Sequence, residues 1–369
     1  MSRSRSDSSL PPCYARCLPG LEEVAAQEIT QELGGNVRKL GRGLVVFRVE
    51  AITPRLLKLR TTEDVFLLAW GTDKLTCRAV DLKKIRQWTA STPDWNHLLK
   101  LHHGVRPKPK GKPTYHLVTQ MFGRHAYFRT SAQKSLTQGL AGKFPSTWKP
   151  AEENASIEIW LTIQGKTAYC GLRLSDRTMR HRTWKVEHLP ASLRPTVAAA
   201  MVRLANPSPH HVFLDPTCGA GTILGERITL QRMRGEEASP VWGGDVNLPT
   251  LRKARINLRR LEPTFLARWD VQALPLPTAS VDRIASNPPF GKQMSNPEEI
   301  KTLYFGMVRE MNRVLKPGGL AVLLVSNGEL LQRAAGEQAW ESQRYFPVEV
   351  LGQSAVVTVW RKPYSSGDS

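Results

Sequence analysis

The stretch HVFLDPTCGAGTILGER, residues 211–227, decides the fold class of the C-terminal half of this chain. An apolar run ends at Asp215, glycines follow at Gly219 and Gly221, and a helix is predicted to begin near Thr222. Glycines at such a turn let a ligand approach the backbone, and free N–H groups at a helix start favour an anionic group. The spacing fits neither the P-loop nor the GxGxxG fingerprint. By itself, therefore, the loop predicts a ligand-binding α/β turn and no particular ligand.

The pattern of strand, loop and helix continues from about residue 190, which predicts a doubly wound, mostly parallel sheet of the α/β class. The predicted strands end at Asp215, Asp245, Asp270 and Asn287. Because ligands of such sheets lie beyond the carboxyl ends of the strands, these four polar residues are expected to converge. Asp245 is suited to accept hydrogen bonds from ribose hydroxyls, and Asp270 from an adenine amine. Either aspartate alone is more often a helix N-cap; together they favour an adenosine-containing ligand.

The motif NPPF, residues 287–290, follows the predicted strand that runs from Val281 to Ala285. Two consecutive prolines fix an extended turn, so its carbonyls and the Asn287 side chain are held as aimed acceptors. Asn287 Oδ1 and the Pro288 carbonyl can accept both hydrogens of an exocyclic amine. Phe290 would stack on the base, a contact worth roughly 1–3 kcal/mol. The alternative is a structural proline turn beneath a phenylalanine lid.

Composition and charge bound the remaining possibilities. With 369 residues, 41% hydrophobic and 23% charged, the chain is neither wholly disordered nor collagenous nor membrane-spanning, and two or three domains are expected. It has 52 Lys plus Arg against 32 Asp plus Glu, a formal net charge of +20. Residues 1–190 hold 31 of the basic and 16 of the acidic side chains. The excess favours a polyanionic partner, although a solvated basic surface explains the charge equally well.

The cysteines and the N-terminus indicate the compartment. The five cysteines form no CxxC pair, so neither a disulfide framework nor a zinc site is predicted. We therefore expect no metal, and a reducing cytoplasm. Cys218 lies in the glycine loop but is more often a packing residue than a nucleophile in such a setting. Residues 1–12 lack the apolar core of a signal peptide and are predicted to be a disordered tail.

The N-terminal half predicts two small α+β units. The first has a strand at Cys13, a helix with Leu21 and Ile29 on its apolar face, a strand from Leu44 to Val49, and a helix from Pro54 to Leu68. After the basic loop of residues 103–114, the second unit comprises a strand at 115–119, a helix that a Thr130–Gln133 capping box opens and that runs to Lys143, and a hairpin of residues 157–163 and 168–172.

Several segments together carry a family resemblance. DPTCGAGT, GGDVN, the Asp270 segment, NPPFG and RVLKPGGLAVLLV resemble class I S-adenosylmethionine-dependent methyltransferases that methylate exocyclic amines. CLPGLEEVAAQE, YHLVTQ, FRTSAQKSL and AYCGLRLSD are similar to a ferredoxin-like domain followed by a THUMP domain. HRTWKVEHLPASLRPTVAAAMVRLA resembles the stretch that precedes the glycine loop in THUMP-containing tRNA guanine-N2 methyltransferases. The implied organisation is a tail (1–12), a ferredoxin-like domain (13–90), a THUMP domain (91–178), a linker (179–189) and a Rossmann-like methyltransferase domain (190–369).

The resemblance also implies roles for individual residues. The cofactor S-adenosylmethionine would be bound by Asp215, Thr217, Cys218, Gly219, Gly221, Thr222, Asp245, Asp270, Val271 and Asn287. Asn287, Pro288 and Phe290 would hold the target base, with Phe290 in place of the commoner tyrosine. Candidate RNA contacts are Arg106, Lys108, Lys110, Lys112, Arg124, Arg129 and Lys134.

The implied reaction is methylation of the N2 amine of a guanosine in the tRNA acceptor stem, at position 6, by a cytoplasmic, monomeric enzyme without a membrane or metal partner. Ribosomal RNA, as for 23S guanine-N2 methyltransferases, is the second candidate substrate. A DNA adenine-N6 methylase would share NPPF but would not need a THUMP-like module. A non-catalytic RNA-binding protein is the third hypothesis, and the intact Asp245, Asp270 and NPPF argue against it.

Overall fold

The computed structural model describes residues 10–107, 111–152, 155–190, 192–261, 264–289 and 297–364. The chain divides into two compact units. Unit 1 comprises Met1–Arg16 and Ala26–Met179, and unit 2 comprises Cys17–Ala25 and Arg180–Ser369. No helix in the described ranges is long and apolar enough to cross a membrane.

The helices and strands up to residue 173 are β1 (Cys13–Cys17), α1 (Glu22–Leu33), β2 (Asn36–Gly41), β3 (Leu44–Arg48), β4 (Thr62–Thr72), α2 (Val80–Ser91), α3 (Trp95–Val105), β5 (Thr114–Phe122), α4 (Arg129–Gly139), β6 (Lys149–Pro150), β7 (Ile157–Gln164) and β8 (Thr167–Arg173). These eight strands lie in one sheet, in the order β2-β3-β1-β4-β8-β7-β5-β6. Strand β5 runs parallel to β6 and β7, whereas β7 and β8 form an antiparallel hairpin. The strands of the predicted ferredoxin-like and THUMP domains thus share one sheet, and the boundary between those domains stays a prediction.

The helix predicted from Pro54 to Leu68 is wrong. Residues Pro54–Lys58 form a short 3-10 turn, and β4 begins at Thr62. The consecutive side chains of Val65, Phe66 and Leu67 are all fully buried. A strand that is covered on both faces reads as a continuous apolar run, which periodicity cannot separate from a buried helix.

The predicted capping box is also wrong, because Gln133 has other partners. Helix α4 begins after Phe128, which makes no side-chain cap hydrogen bond, and it ends at Gly139 rather than Lys143. The Gln133 amide donates to the Leu117 carbonyl at 2.8 Å, and its Oε1 accepts from the Thr119 hydroxyl. Gln133 therefore ties α4 to β5 instead of capping its own helix.

The helices and strands of unit 2 after residue 190 are α5 (Pro195–Ala205), β9 (Phe213–Asp215), α6 (Thr222–Arg234), β10 (Val241–Asp245), α7 (Leu248–Leu258), β11 (Phe265–Arg268), β12 (Val281–Ser286), α8 (Pro297–Val314), β13 (Leu315–Val325), α9 (Gly328–Glu337), β14 (Glu341–Val350) and β15 (Gln353–Arg361). The strands form the predicted doubly wound sheet, in the order β11-β10-β9-β12-β13-β15-β14. The first five strands of this order are parallel, and the hairpin of β14 and β15 adds an antiparallel edge. The Rossmann-like fold class is confirmed.

Helices cover both faces of this sheet. Phe213 belongs to the core that contains α5, α6 and α7, whereas its neighbour Leu214 belongs to the core that contains α8 and α9. Val322 and Leu323 divide between the two cores in the same way. Successive side chains of a strand point to opposite faces, so strands covered on both sides need apolar residues at every position.

The N-terminal residues 17–25 contribute to unit 2. Leu18, Leu21 and Val24 are buried in the core that also holds α5 and α6. Gly20 has φ +99°, and a Cβ there would lie 2.1 Å from the Pro347 carbonyl, so only glycine fits. Residues 13–90, predicted to form one N-terminal domain, are thus divided between the two units, because an apolar pattern does not reveal which core a helix face joins.

Within the predicted linker of residues 179–189, the residues from Arg180 onward belong to unit 2, and some of their charged side chains are buried. Arg182 and Glu226 form a buried ion pair, with 2.8 Å between Nε and Oε1. The Lys185 ammonium is buried as well and donates to the Leu193 carbonyl at 2.9 Å. The charges of Arg182 and Lys185 thus have specific buried partners, and the linker itself stays a prediction.

Candidate active site

The cavity of interest lies where the strand order of unit 2 reverses. From β9 the chain proceeds outward to β10 and β11, and it then returns to the other side of β9 as β12. Such a switch point opens a crevice beyond the carboxyl ends of the strands. A cavity of ≈ 670 Å³ is found there, and it is lined by residues that follow β9, β10, β11 and β12. It brings together Asp215, Thr217, Cys218, Gly219, Thr222, Asp245, Asp270, Val271, Asn287 and Pro288.

Asp215 is the most buried carboxylate of the cavity. It is 1% exposed, and its Oδ1 accepts from the Ser286 hydroxyl at 2.6 Å and from the Thr217 N–H at 3.3 Å. The Thr217 and Ser286 hydroxyls lie 2.7 Å apart. Burial raises the pKa of Asp215 to about 7, although these hydrogen bonds lower it in part. These bonds link the loop after β9 to the end of β12.

Asp245 differs from Asp215 because it is only half-buried. Its Oδ2 accepts from the Gly219 N–H at 3.1 Å and its Oδ1 from the Asn247 N–H at 2.9 Å. Each carboxylate oxygen has two lone-pair sites, so both oxygens keep an acceptor position for ribose hydroxyls. The two N–H groups fix the carboxylate at the rim of the cavity.

Asp270 lies two residues beyond the end of β11 and is exposed. Its Oδ1 accepts from the Gln272 N–H at 2.9 Å, which fixes a turn. The next residue, Val271, is buried and also lines the cavity. Asp270 thus supplies a carboxylate and Val271 an apolar wall beside it. The carboxylate suits the edge of a planar base, and the apolar wall suits its face.

Asn287 follows β12 directly, and its Oδ1 atom is, like the Ser192 hydroxyl, a polar atom of the cavity without a hydrogen-bond partner among the described residues. The Asn287 oxygen is buried. A buried amide oxygen without a donor costs about 1–3 kcal/mol, so such atoms are rare unless a ligand completes them. Pro288, beside it, is buried and lines the same cavity. Phe290, the third predicted target-base residue, lies outside the described residues.

The glycine loop has two kinds of glycine. Gly219 lines the cavity with φ +54°, as a backbone that approaches a ligand requires. Gly221, predicted to bind the cofactor, is not among the cavity-lining residues. With φ +77° it precedes α6, and a Cβ there would lie 2.9 Å from Leu258 of α7. Cys218 is buried, and burial raises the pKa of its thiol well above the usual range, which suits packing rather than nucleophilic attack.

Several residues of the site and its surroundings were not predicted from the sequence. Ser286 carries a hydrogen bond that the sequence does not reveal, because its partner Asp215 is 71 residues away. Trp269 is buried, and its Nε1 donates to the Pro216 carbonyl at 3.0 Å. This hydrogen bond fixes the start of the glycine loop. Further lining residues come from the segment that precedes α5 and from the β14–β15 turn: Leu189, Pro190, Ser192, Leu193, Arg194, Val350, Leu351 and Gln353.

The predicted RNA contacts belong to unit 1 and differ among themselves. Lys112, Arg124, Arg129 and Lys134 are exposed. Arg106 instead forms an ion pair with Asp176, with 2.9 Å between Nη1 and Oδ2, so its charge is largely matched. Lys108 and Lys110 lie outside the described residues. Phe128, beside Arg129, is 79% exposed, and an aromatic face next to cations is typical of RNA-binding surfaces.

In the portion of the chain that the structure describes, no group of three or more His, Cys, Asp or Glu side chains could hold a metal ion.

Comparison with known proteins locates the site within a known domain. Residues 182–354 match the family model UPF0020, described as the RMKL-like methyltransferase domain. The chain is 31% identical over 259 residues to the tRNA (guanine(6)-N(2))-methyltransferase THUMP3 of Mus musculus, which covers 65% of this chain and 49% of that protein. It is 32% identical over 233 residues to the U6 snRNA (guanine-N(2))-methyltransferase THUMPD2 of Bos taurus, covering 61% and 43%.

The chain thus spans about half the length of the curated relatives it matches. Among solved structures, TrmN from Thermus thermophilus is similar in fold, with a TM-score of 0.77 at 24% identity. That alignment covers 95% of this chain and 99% of the TrmN chain.

Proposed function

From the RMKL-like methyltransferase domain that residues 182–354 carry, we propose that this chain transfers the methyl group of S-adenosylmethionine to the N2 amine of a guanosine in RNA. The substrate that we propose is tRNA methylated at guanosine 6, as the name of the Mus musculus relative states for that protein. The U6 snRNA named for the Bos taurus relative is the second candidate, and ribosomal RNA is the third.

The unpartnered Oδ1 of Asn287 is the observation that carries the proposal. A buried acceptor in a cavity calls for a ligand that donates a hydrogen, and the guanine N2 amine has two. The Pro288 carbonyl, on the adjacent residue, is the second acceptor. With both hydrogens held, the nitrogen lone pair is drawn out of conjugation with the ring and toward the reacting methyl group.

The cavity also fits the proposed cofactor. The Asp245 carboxylate, fixed by two backbone N–H groups, is placed to accept from ribose hydroxyls. Asp270 and Val271 offer an acceptor and an apolar wall for the adenine, and the Asp215–Thr222 loop surrounds the remainder. When bound, S-adenosylmethionine would supply an electrophilic methyl group. The protein residues would orient the amine and exclude water from it.

Unit 1 has the surface that we assign to RNA binding in this proposal. Lys112, Arg124, Arg129 and Lys134 are exposed cations, and Phe128 offers a stacking face. We place them in a THUMP domain, as the resemblance of the segments YHLVTQ and FRTSAQKSL implies. Location in the cytoplasm belongs to the same proposal, because the five free cysteines suit a reducing compartment.

Mass spectrometry of RNA nucleosides tests the proposal directly. The purified chain is incubated with S-adenosylmethionine and, in separate reactions, with a tRNA transcript that carries guanosine at position 6, U6 snRNA and ribosomal RNA. We expect N2-methylguanosine in the tRNA reaction. The same tRNA with adenosine at position 6 is the matched control and should stay unmodified.

The other outcomes separate the alternatives. Methylation of U6 or ribosomal RNA alone would keep the chemistry and overturn the tRNA assignment. N6-methyladenosine in any substrate would overturn the choice of amine. Cofactor binding without methyl transfer to any of the three RNAs would contradict the proposed function.

A further inference from the structure

The turn between β14 and β15 has an unusual residue at its tip. Val350 pairs with Gln353, so Leu351 and Gly352 form a two-residue turn with φ +53° and +73°. Such turns favour asparagine, aspartate or glycine at the first position, because a larger side chain with positive φ is strained. Leu351 is nevertheless 55% exposed, so its burial does not explain why leucine is there.

The strand register places this turn at the edge of the sheet where the site lies. Val325, the last residue of β13, pairs with Val356 of β15. Strand β15 therefore extends three residues further, to Gln353, which is roughly 10 Å past the end of β13. Leu351 lines the same cavity as Asn287 and Pro288. A strained, half-exposed apolar side chain thus lines the cavity that contains the proposed target-base site.

The proposed substrate requires a base to leave the stack, and an apolar side chain such as that of Leu351 can stabilise this state. In a Watson–Crick pair, one hydrogen of the guanine N2 amine is already bonded to the partner cytosine. Asn287 Oδ1 and the Pro288 carbonyl can take both hydrogens only after the guanosine has left the base stack. Proteins that bend nucleic acid duplexes insert leucine, phenylalanine or methionine between base steps, which partly unstacks the bases.

We propose that Leu351 is an apolar wedge that enters the base stack vacated by the target guanosine and so keeps that guanosine in the cavity. The inference rests on the proposed function. Strained backbone residues cluster at functional sites, and a wedge at the tip of this turn would account for a leucine with an unfavourable φ.

Leu351→Asn tests the wedge, because asparagine tolerates positive φ but has no apolar bulk. The substrates are the tRNA transcript with guanosine 6 paired and the same transcript with a mismatch opposite guanosine 6. We expect single-turnover methyl transfer to the paired transcript to fall about 10- to 100-fold, since extrusion of a paired base requires a few kcal/mol. Transfer to the mismatched transcript should stay within about threefold of the unmutated chain, because that base is already free.

Two control variants separate the wedge from the turn geometry. Leu351→Met keeps the apolar bulk and should keep the paired rate within about threefold. Ala339→Asn relieves positive φ (+53°) at an exposed residue after α9, away from the cavity, and should leave both rates unchanged. Leu351→Asn should melt no lower than the unmutated chain, because relief of the strain offsets the lost contacts of a half-exposed side chain.

A second measurement does not depend on methyl transfer. With 2-aminopurine at position 6 of the paired transcript, binding of the unmutated chain should raise its fluorescence, and binding of Leu351→Asn should not. Equal loss of rate on both transcripts, an unchanged paired rate, or a lower melting temperature of Leu351→Asn would each overturn the wedge. Absence of N2-methylguanosine from both transcripts with the unmutated chain would instead overturn the proposed function.

Discussion

The Arg173 cluster of the unit 1 sheet and Asn287 at the edge of the unit 2 sheet differ in whether their buried polar groups have partners. In unit 1, Arg173 donates to Asp64 at 2.8 Å and to Glu158 at 2.9 Å, and its guanidinium lies 5.3 Å from the centre of the Trp160 ring. At the carboxyl edge of the unit 2 sheet, Asn287 Oδ1 is buried without a partner in the described part of the chain. A buried cluster whose hydrogen bonds are complete stabilises the fold, whereas a buried acceptor without a donor in a cavity indicates a ligand.

Arg173→Ala should have the largest effect on stability. It leaves the buried Asp64 and the partly buried Glu158 without their cation, and an uncompensated buried charge destabilises by about 3–5 kcal/mol. Urea unfolding followed by tryptophan fluorescence measures the change. Arg177→Ala, at a neighbouring exposed arginine, is the control and should alter stability by less than about 0.5 kcal/mol. Similar losses for the two variants would contradict the structural role of the Arg173 cluster.

Asn287→Ala should affect the rate rather than the stability. Loss of one preorganised hydrogen-bonding group at a developing charge reduces the rate by roughly 100- to 1000-fold. Rapid-quench methyl transfer at saturating RNA and cofactor measures it, while calorimetry checks that both still bind. If the rate falls less than tenfold, Asn287 does not hold the reacting amine, and its unpartnered Oδ1 does not indicate the substrate.

Asp245→Ala should weaken cofactor binding. Hydrogen bonds to a charged group contribute about 1.5–3 kcal/mol each, so the affinity should fall at least tenfold. The matched control is Asp282→Ala, because Asp282 binds Lys316 at the opposite end of β12 and should influence only stability. Calorimetric titration with S-adenosylmethionine decides between them. Equal losses of affinity in both variants would contradict the ribose assignment.

Asp215→Asn should change stability by an amount that depends on pH. The pKa of Asp215 is raised to about 7, so between its ordinary value near 4 and about pH 7 the folded chain binds the proton more tightly than the unfolded chain. This carboxylate therefore destabilises the fold increasingly as pH rises to 7. The variant should melt higher than the unmutated chain at pH 8, by an amount that vanishes near pH 4. The same difference at both pH values would exclude a titrating Asp215.

The sequence predicted the parts of the site that lie within single motifs. Asp215, Asp245 and Asn287 were found because each follows an apolar strand, and the doubly wound topology brings strand ends together. Their assigned roles stay predictions until the variants are measured. Ser286, Trp269 and Leu351 were missed because their significance depends on partners or strand registers distant in sequence.

The wrong predictions about the fold also arose because the deciding contacts are distant in sequence. The run from Pro54 to Leu68 has no local feature that separates a strand covered on both faces from a helix. Gln133 fits the spacing of a capping box, and only the position of β5 shows that its amide bonds elsewhere. The core in which Leu21 and Val24 are buried could not be predicted, because it is formed by residues about 180 positions further along the chain.

That last feature has a consequence for synthesis on the ribosome. Leu18, Leu21 and Val24 emerge early, but their core partners in α5 and α6, such as Val197 and Ile228, are translated much later. At about 5–20 residues per second, the delay is on the order of 10–40 s. During that interval these apolar side chains have no native core to enter, so the growing chain is expected to need protection from aggregation. Closing so long a loop also predicts slow refolding of unit 2.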